Sequence, residues 1–213
     1  MIPIKLNYLD QAGRYQDALI VAEELAADTT RPAADRQAFA FQVARQLIML
    51  DRVDDANVTY DRLVAAAGAD RHEAYRVIRN KANLITHRRF EEGLRAFEAA
   101  RALCDPGTQE WLNVEIPRLR LLRTRGRFDE ALTGFDAVLA LPQLDPIDRA
   151  VCLGDQALTL AKMGRRSEAT RAADAADAAW PGLNPADQST TIDFIRGMIE
   201  AARRDFGAVP ARP

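Results

Sequence analysis

Apolar residues recur along this chain in steps of three and four. Leu6 with Leu9, Ala44 with Leu47, Leu119 with Leu122 and Ala157 with Leu160 repeat one pair, and Lys81 with Leu84 keeps the leucine but breaks the apolar step. Positions three and four apart share one face of an α-helix, so each pair marks the buried stripe of a helix. Further along, a small residue recurs as Ala18, Ala56, Gly93, Ala131 and Ala169. Four positions after it stand Ala22, Tyr60, Phe97, Phe135 and Ala173, and seven after it Leu25, Leu63, Ala100, Val138 and Ala176. That is the stripe of a second helix, and the small residue at its head lets two helix backbones approach closely. The pattern predicts a helical hairpin, repeated.

The two stripes meet in a short block that occurs five times: Gly13-Arg14-Tyr15-Gln16-Asp17-Ala18, Asp51-Arg52-Val53-Asp54-Asp55-Ala56, Arg88-Arg89-Phe90-Glu91-Glu92-Gly93, Gly126-Arg127-Phe128-Asp129-Glu130-Ala131 and Gly164-Arg165-Arg166-Ser167-Glu168-Ala169. Successive blocks begin 38, 37, 38 and 38 residues apart. A fixed period of that size marks a chain of stacked hairpins. The acids Asp17, Asp55, Glu92, Glu130 and Glu168 fall in the first turn of each second helix, where a carboxylate gains about 0.3–1 kcal/mol from the exposed amides. They are read as helix starts, not as catalysts.

The joints carry matching signals. Asp145-Pro146, Asn184-Pro185, Thr108 after Pro106-Gly107, and Asp70 followed by Glu73 each place a capping residue before a helix. The repeats are expected at about 2–29, 32–68, 70–104, 108–141 and 146–180. Ile192, Ile195, Ile199, Ala202 and Phe206 form a last apolar stripe, expected as a capping helix over about 185–206. Pro117 falls inside the first helix of the fourth repeat, where its missing amide should kink or restart that helix near Ile116.

The succession of leucine, Gly-Arg-Phe/Tyr-Asp-Glu-Ala, an aromatic and a small apolar residue resembles the tetratricopeptide repeat family over about residues 2 to 181. That family's unit is about 34 residues long, so the longer period here implies roughly one additional helical turn per hairpin; the span from Pro32 to Leu50 points to the first helix. The resemblance implies an all-α, right-handed superhelical solenoid of about five helix-turn-helix repeats plus a C-terminal capping helix, one domain over 1–213. It also implies a concave groove, lined by the first helices, that holds a protein or peptide segment.

Positions one step around from the leucine stripe are then the candidates for partner binding: Phe41, Arg45 and Ile48 in the second repeat, Tyr75 and Arg79 in the third, and Arg120 and Arg123 in the fourth. Ile78, Ala82, Ile85 and Ile116 lie on the same side. Arginines among apolar residues suit an acidic or amphipathic segment. The alternative is that Phe41, Ile78 and Ile85 pack between hairpins while the arginines are solvated. Some family members clamp a C-terminal carboxylate; Asn7 and Arg79 match two positions of that clamp, but Pro3 and Tyr75 stand where it needs lysines.

Composition narrows the functional classes. The chain has 48% hydrophobic and 28% charged residues and a formal net charge of −2, with a pI near 5.8. It lacks the basic excess that draws proteins to phosphate backbones, so no nucleic-acid partner is expected. Cys104 and Cys152 are too few and too far apart for a disulfide framework or a zinc site. His72 and His87 lack metal-ligand spacing, and no nucleophile elbow or phosphate loop occurs. No enzyme, cofactor or metal is expected. Neither a secretory signal nor an apolar run of membrane-spanning length is visible, so the chain reads as cytoplasmic with no membrane partner. Trp111 and Trp180 lie at or near hairpin joints, as plugs. The main expectation is a non-enzymatic interaction module or adaptor; the alternatives are a sensory or regulatory repeat segment of a larger signalling protein, and an RNA-binding helical repeat.

Overall fold

The structure, a computed structural model, describes residues 4–179 and the helical positions Gly197 and Glu200. The expected capping helix and Trp180 therefore lie outside the described residues. By their internal contacts the residues fall into two compact units, Met1–Cys104 and Asp105–Pro213. The first holds α1 (Ile4–Gln11), α2 (Tyr15–Ala27), α3 (Ala33–Met49), α4 (Val53–Ala67), α5 (Arg71–Ile85) and α6 (Phe90–Ala102), and the second holds α7 (Gln109–Thr124), α8 (Phe128–Leu139), α9 (Pro146–Lys162) and α10 (Arg166–Ala179). Within each unit, consecutive helices pack on one another. The regular structure of the described residues is entirely α-helical. The first helices α3, α5, α7 and α9 have 17, 15, 16 and 17 residues, and the second helices that follow them, α4, α6, α8 and α10, have 15, 13, 12 and 14.

The helix starts use the caps written in the sequence. Asp70 accepts from the Glu73 N–H, Thr108 from that of Trp111, and Asp145, with Pro146 in the first turn of α9, from those of Ile147 and Asp148. Each satisfies amides that the helix itself leaves open.

Four of the five turns inside hairpins close alike. The N–H of Arg14, Arg52, Arg127 and Arg165 donates to the carbonyl of Leu9, Leu47, Leu122 and Leu160, and the preceding Gly13, Asp51, Gly126 and Gly164 donate to Asp10, Ile48, Arg123 and Ala161. This double closure requires a left-handed residue, and those four preceding residues have φ from 62° to 78°.

The third turn departs from the pattern. Arg89 donates to the carbonyl of Ile85, one residue closer, and Arg88 has no left-handed backbone. The turn is one residue shorter, so the register of α5 moves by one. Ala82 and Ile85, both fully buried, take the places of Ala44 and Leu47, while Lys81 and Leu84 are only half-buried. The stripe expected through Lys81 and Leu84 is thus corrected to Ala82 and Ile85, and the anomalous lysine disappears from it.

The small residues of the block, Ala18, Ala56, Ala131 and Ala169, have no exposed surface, and Gly93 is also buried. In the first unit they sit in a core with Leu6, Leu9, Leu19, Phe39, Leu47, Tyr60, Leu63, Val77 and Ile85. The helix α7 runs unbroken from Gln109 to Thr124 with Pro117 inside it, so of the kink or restart expected near Ile116 the restart does not occur. Pro117 leaves one carbonyl without its helical donor, while Val114, Leu119 and Leu122 stay buried on either side.

Candidate functional site

The arginine of each block caps its hairpin turn and pairs with the acid three residues on. Arg14 with Asp17, Arg52 with Asp55, Arg89 with Glu92, Arg127 with Glu130 and Arg165 with Glu168 all form ion pairs. The hydrogen bond from Arg127 holds the Glu130 carboxyl below its ordinary range, and Arg165 does the same to Glu168. Each of these acids is thus paired within its own turn, while Arg89 also reaches back to Asp54 of the preceding block at 2.6 Å and Arg88 to Asp51 at 3.8 Å.

The candidate groove residues divide into three environments. Ile48 and Tyr75 are buried. Arg45 donates to Asp10 at 2.6 Å, beside the buried amide of Gln46, which reaches the other Asp10 oxygen at 3.1 Å. In the second unit Arg120 and Arg123 converge on Asp155 of α9, at 2.5 and 3.1 Å.

Asp155 is fully buried. Burial raises its carboxyl pKa against the pull of both guanidiniums, and burial likewise lowers that of Arg123. The neighbouring Cys152 thiol is pushed up to about 12 by burial, reinforced by the Asp155 and Asp148 charges. These groups form a closed ionic cluster. No pattern in the arginines alone announced Asp155; the available signal was an acid set among Ala150, Val151, Cys152 and Leu158 in an otherwise apolar stretch.

Phe41 and Arg79 come together. With Arg76, Asn80 and Asn83 they line a cleft of about 290 Å³ between the first helices α3 and α5. The Nε of Arg79 is buried there without a hydrogen-bond partner. Arg76 is held by Glu73 at 2.7 Å. The Tyr60 hydroxyl donates to Asn80 Oδ1 at 2.7 Å, which fixes the amide and leaves its NH2 as a donor. Among the described residues no carboxylate lines the cleft. Its polar groups are guanidiniums and carboxamides beside the Phe41 ring, a set that favours an acceptor flanked by apolar surface.

Three further clefts have second helices as walls. The first lies over α3 between α2 and α4, the second over α5 between α4 and α6, and the third over α9 between α8 and α10. They occupy corresponding positions over three of the first helices and follow from the packing of each hairpin. Among the described residues no cluster of three or more His, Cys, Asp or Glu could hold a metal ion, and no helix is long and apolar enough to cross a membrane.

No protein-family profile matches the chain, and no curated protein matches it. Solved structures do. A crystal structure of a Podosopora anserina putative kinesin light chain with nearly identical TPR-like repeats matches with a TM-score of 0.63 at 18% identity, over 86% of this chain and 94% of that one. A form of that protein carrying a single glutamine-to-methionine substitution matches with a TM-score of 0.61 at 18% identity, over 82% and 90%. The described helices thus have the tetratricopeptide-like repeat fold, the all-α helical-repeat architecture expected from the period.

Proposed function

We propose that this chain is a non-enzymatic protein-interaction module whose first helices receive a peptide or partner segment, with Phe41 and Arg79 at the centre of the receiving surface. The repeat fold supports the general class, since helical-repeat stacks offer extended surfaces for partners. The observation that carries the site is the buried, unpartnered Nε of Arg79 in a cleft with no carboxylate among its described lining residues. A half-buried guanidinium whose Nε lacks a partner gains from a carboxylate that a partner brings to its terminal nitrogens. Phe41 supplies the adjoining apolar contact.

Arg45, Arg120 and Arg123 already have carboxylate partners within the chain, so in this reading they shape the first-helix surface without anchoring the ligand. Ile48 and Tyr75 support it from beneath. The partner is an acidic or amphipathic segment, bound without a cofactor. The test is a titration of fluorescein-labelled peptides that alternate leucine and glutamate, comparing the parent chain with Arg79→Ala and Phe41→Ala. Binding that weakens in both variants supports the site; affinity unchanged by Arg79→Ala overturns it.

A further inference from the structure

The second helices share one position in the middle of their buried stripe, held by Ala22, Tyr60, Phe97, Phe135 and Ala173. Tyr60 alone brings a hydroxyl there, and the residue is fully buried. Phe97 and Phe135 fill the same position of their hairpins with the ring alone, also buried, so packing does not require the oxygen. A buried phenol without an acceptor is destabilising. Here the acceptor is Asn80 Oδ1 of α5, at 2.7 Å. Twenty residues after Ala22, Phe97 and Phe135 stand Gln42, Pro117 and Asp155, and none of those pairs has a hydroxyl to make this bond. The Tyr60–Asn80 pair is therefore a departure of one hairpin from its repeat.

The bond has a direction. Burial pushes the Tyr60 pKa up, so the phenol keeps its proton and donates it to the amide oxygen. A carboxamide has one accepting and one donating end; with Oδ1 turned to Tyr60, the end of Asn80 left for the cleft is its NH2. Asn80 is half-buried and lines the same cleft as Phe41 and Arg79. Arg76 and Arg79 are donors by their chemistry, and Asn80 becomes one by its orientation. Asn83 also lines the cleft but is exposed, so water can satisfy either end of its amide.

We propose that Tyr60 is a positioning residue that sets the specificity of the first-helix cleft, holding Asn80 as a donor beside Arg79 so that a carboxylate of the partner segment is accepted and a carboxamide rejected. The inference rests on the reading of the cleft given above and adds how an acid is told from its neutral isostere. Glutamate offers two equivalent accepting oxygens. Glutamine offers one oxygen and one NH2, and that NH2 must face either the Arg79 guanidinium or the Asn80 NH2, donor against donor. Such a mismatch leaves a desolvated polar group without its bond, which is how a site discriminates between groups of the same shape. An unheld Asn80 would turn its oxygen to the glutamine and the mismatch would vanish. Tyr60 does not touch the ligand; it acts through Asn80.

The experiment measures, by fluorescence anisotropy on the whole chain, the preference for a fluorescein-labelled peptide alternating leucine and glutamate over the same peptide with glutamine. Tyr60→Phe removes only the hydroxyl and keeps the ring that Phe97 and Phe135 show to fit this position; its urea midpoint reports whether the fold is kept. The charge difference between the peptides is common to parent and variant, so a change in preference reports the amide. That preference should fall by about fivefold or more in Tyr60→Phe, the size of one net hydrogen bond. Asn80→Ala should lower it as much, and adding Tyr60→Phe to Asn80→Ala should lower it no further. An equal loss of affinity for both peptides in Tyr60→Phe overturns the proposal, because packing alone acts on both alike. So does an unchanged preference in either single variant, or a further fall in the double one. Arg79→Ala separates the two levels of the argument. If it weakens binding while Tyr60→Phe keeps the parent's preference, the cleft stands and this inference falls; if it leaves binding unchanged, both fall.

Discussion

Gly93 of α6 lies directly against the backbone of Thr86: a Cβ placed on Gly93 would stand 2.8 Å from the Thr86 Cα and 2.9 Å from its nitrogen. The third turn is one residue shorter than the others, which brings Thr86 onto the head of the second helix where the other hairpins hold an alanine. Backbone cannot swing aside as a flexible side chain can. Glycine to alanine inside a helix ordinarily stabilises by about 0.5–1 kcal/mol; here the sign should reverse. Gly93→Ala is expected to destabilise by about 1–3 kcal/mol, the cost of overpacking, read from the midpoint of urea unfolding. A neutral or stabilising result would show that the turn relaxes.

Asp51 has φ 62°, in the position that Gly13, Gly126 and Gly164 fill in three other turns. An L-residue pays for the left-handed backbone that glycine adopts freely. Its exposed pair with Arg88, at 3.8 Å, is worth little. Asp51→Gly should therefore stabilise the chain by about 0.5–1 kcal/mol, close to the range for matching a residue to its backbone, and Gly126→Ala should cost at least as much. Paired urea titrations of the two variants and the parent measure both signs.

The period, the helix starts and the stripe residues were legible in the sequence because each depends on neighbours a few positions away. What depended on distant packing was not. The one-residue shift of α5 followed from a turn whose length the blocks recorded but whose geometry they did not. The leucine at 84 matched the pattern, yet Ile85 is the residue the core takes. At the candidate surface, Phe41 and Arg79 share one cleft because α3 and α5 are neighbouring first helices. Arg120 and Arg123 look equivalent to Arg79 in sequence, but α9 places Asp155 beneath them, and no local rule connects residues so far apart along the chain.

The capping pairs predict a pH dependence. Glu130 and Glu168 have carboxyl pKa values lowered in the folded chain, first by the hydrogen bonds of Arg127 and Arg165. A folded-state pKa below the ordinary 4.5 means the unfolded chain takes up protons first on acidification. The stability these pairs contribute is present above that value and is lost as pH falls through the folded-state values. The difference in unfolding midpoint between the parent and a Glu130→Gln, Glu168→Gln variant should be visible near neutrality and shrink toward zero in acid. It should also shrink in high salt, because both pairs are exposed. A difference constant across pH would mean that the glutamates act through packing alone.

The two cysteines should differ sharply in reactivity. Thiolate, not thiol, attacks disulfide reagents, and Cys152 is buried with its pKa pushed up to about 12, so at mildly alkaline pH almost none of it is ionised and none is accessible. Cys104 is half-buried at the end of the α6 hairpin. With an aromatic disulfide reagent the folded chain should release about one equivalent of chromophore from Cys104 in a first phase. The second should follow only as fast as the structure opens, since Cys152 must leave the cluster of Asp155, Arg120 and Arg123. Cys104→Ser should abolish the first phase and leave the second; Asp155→Ala, which strands two guanidiniums in a buried site, should accelerate the second by lowering the cost of opening α9. Stopped-flow absorbance with and without urea separates the phases, and a fast second equivalent from the folded parent would contradict the closed cluster around Asp155.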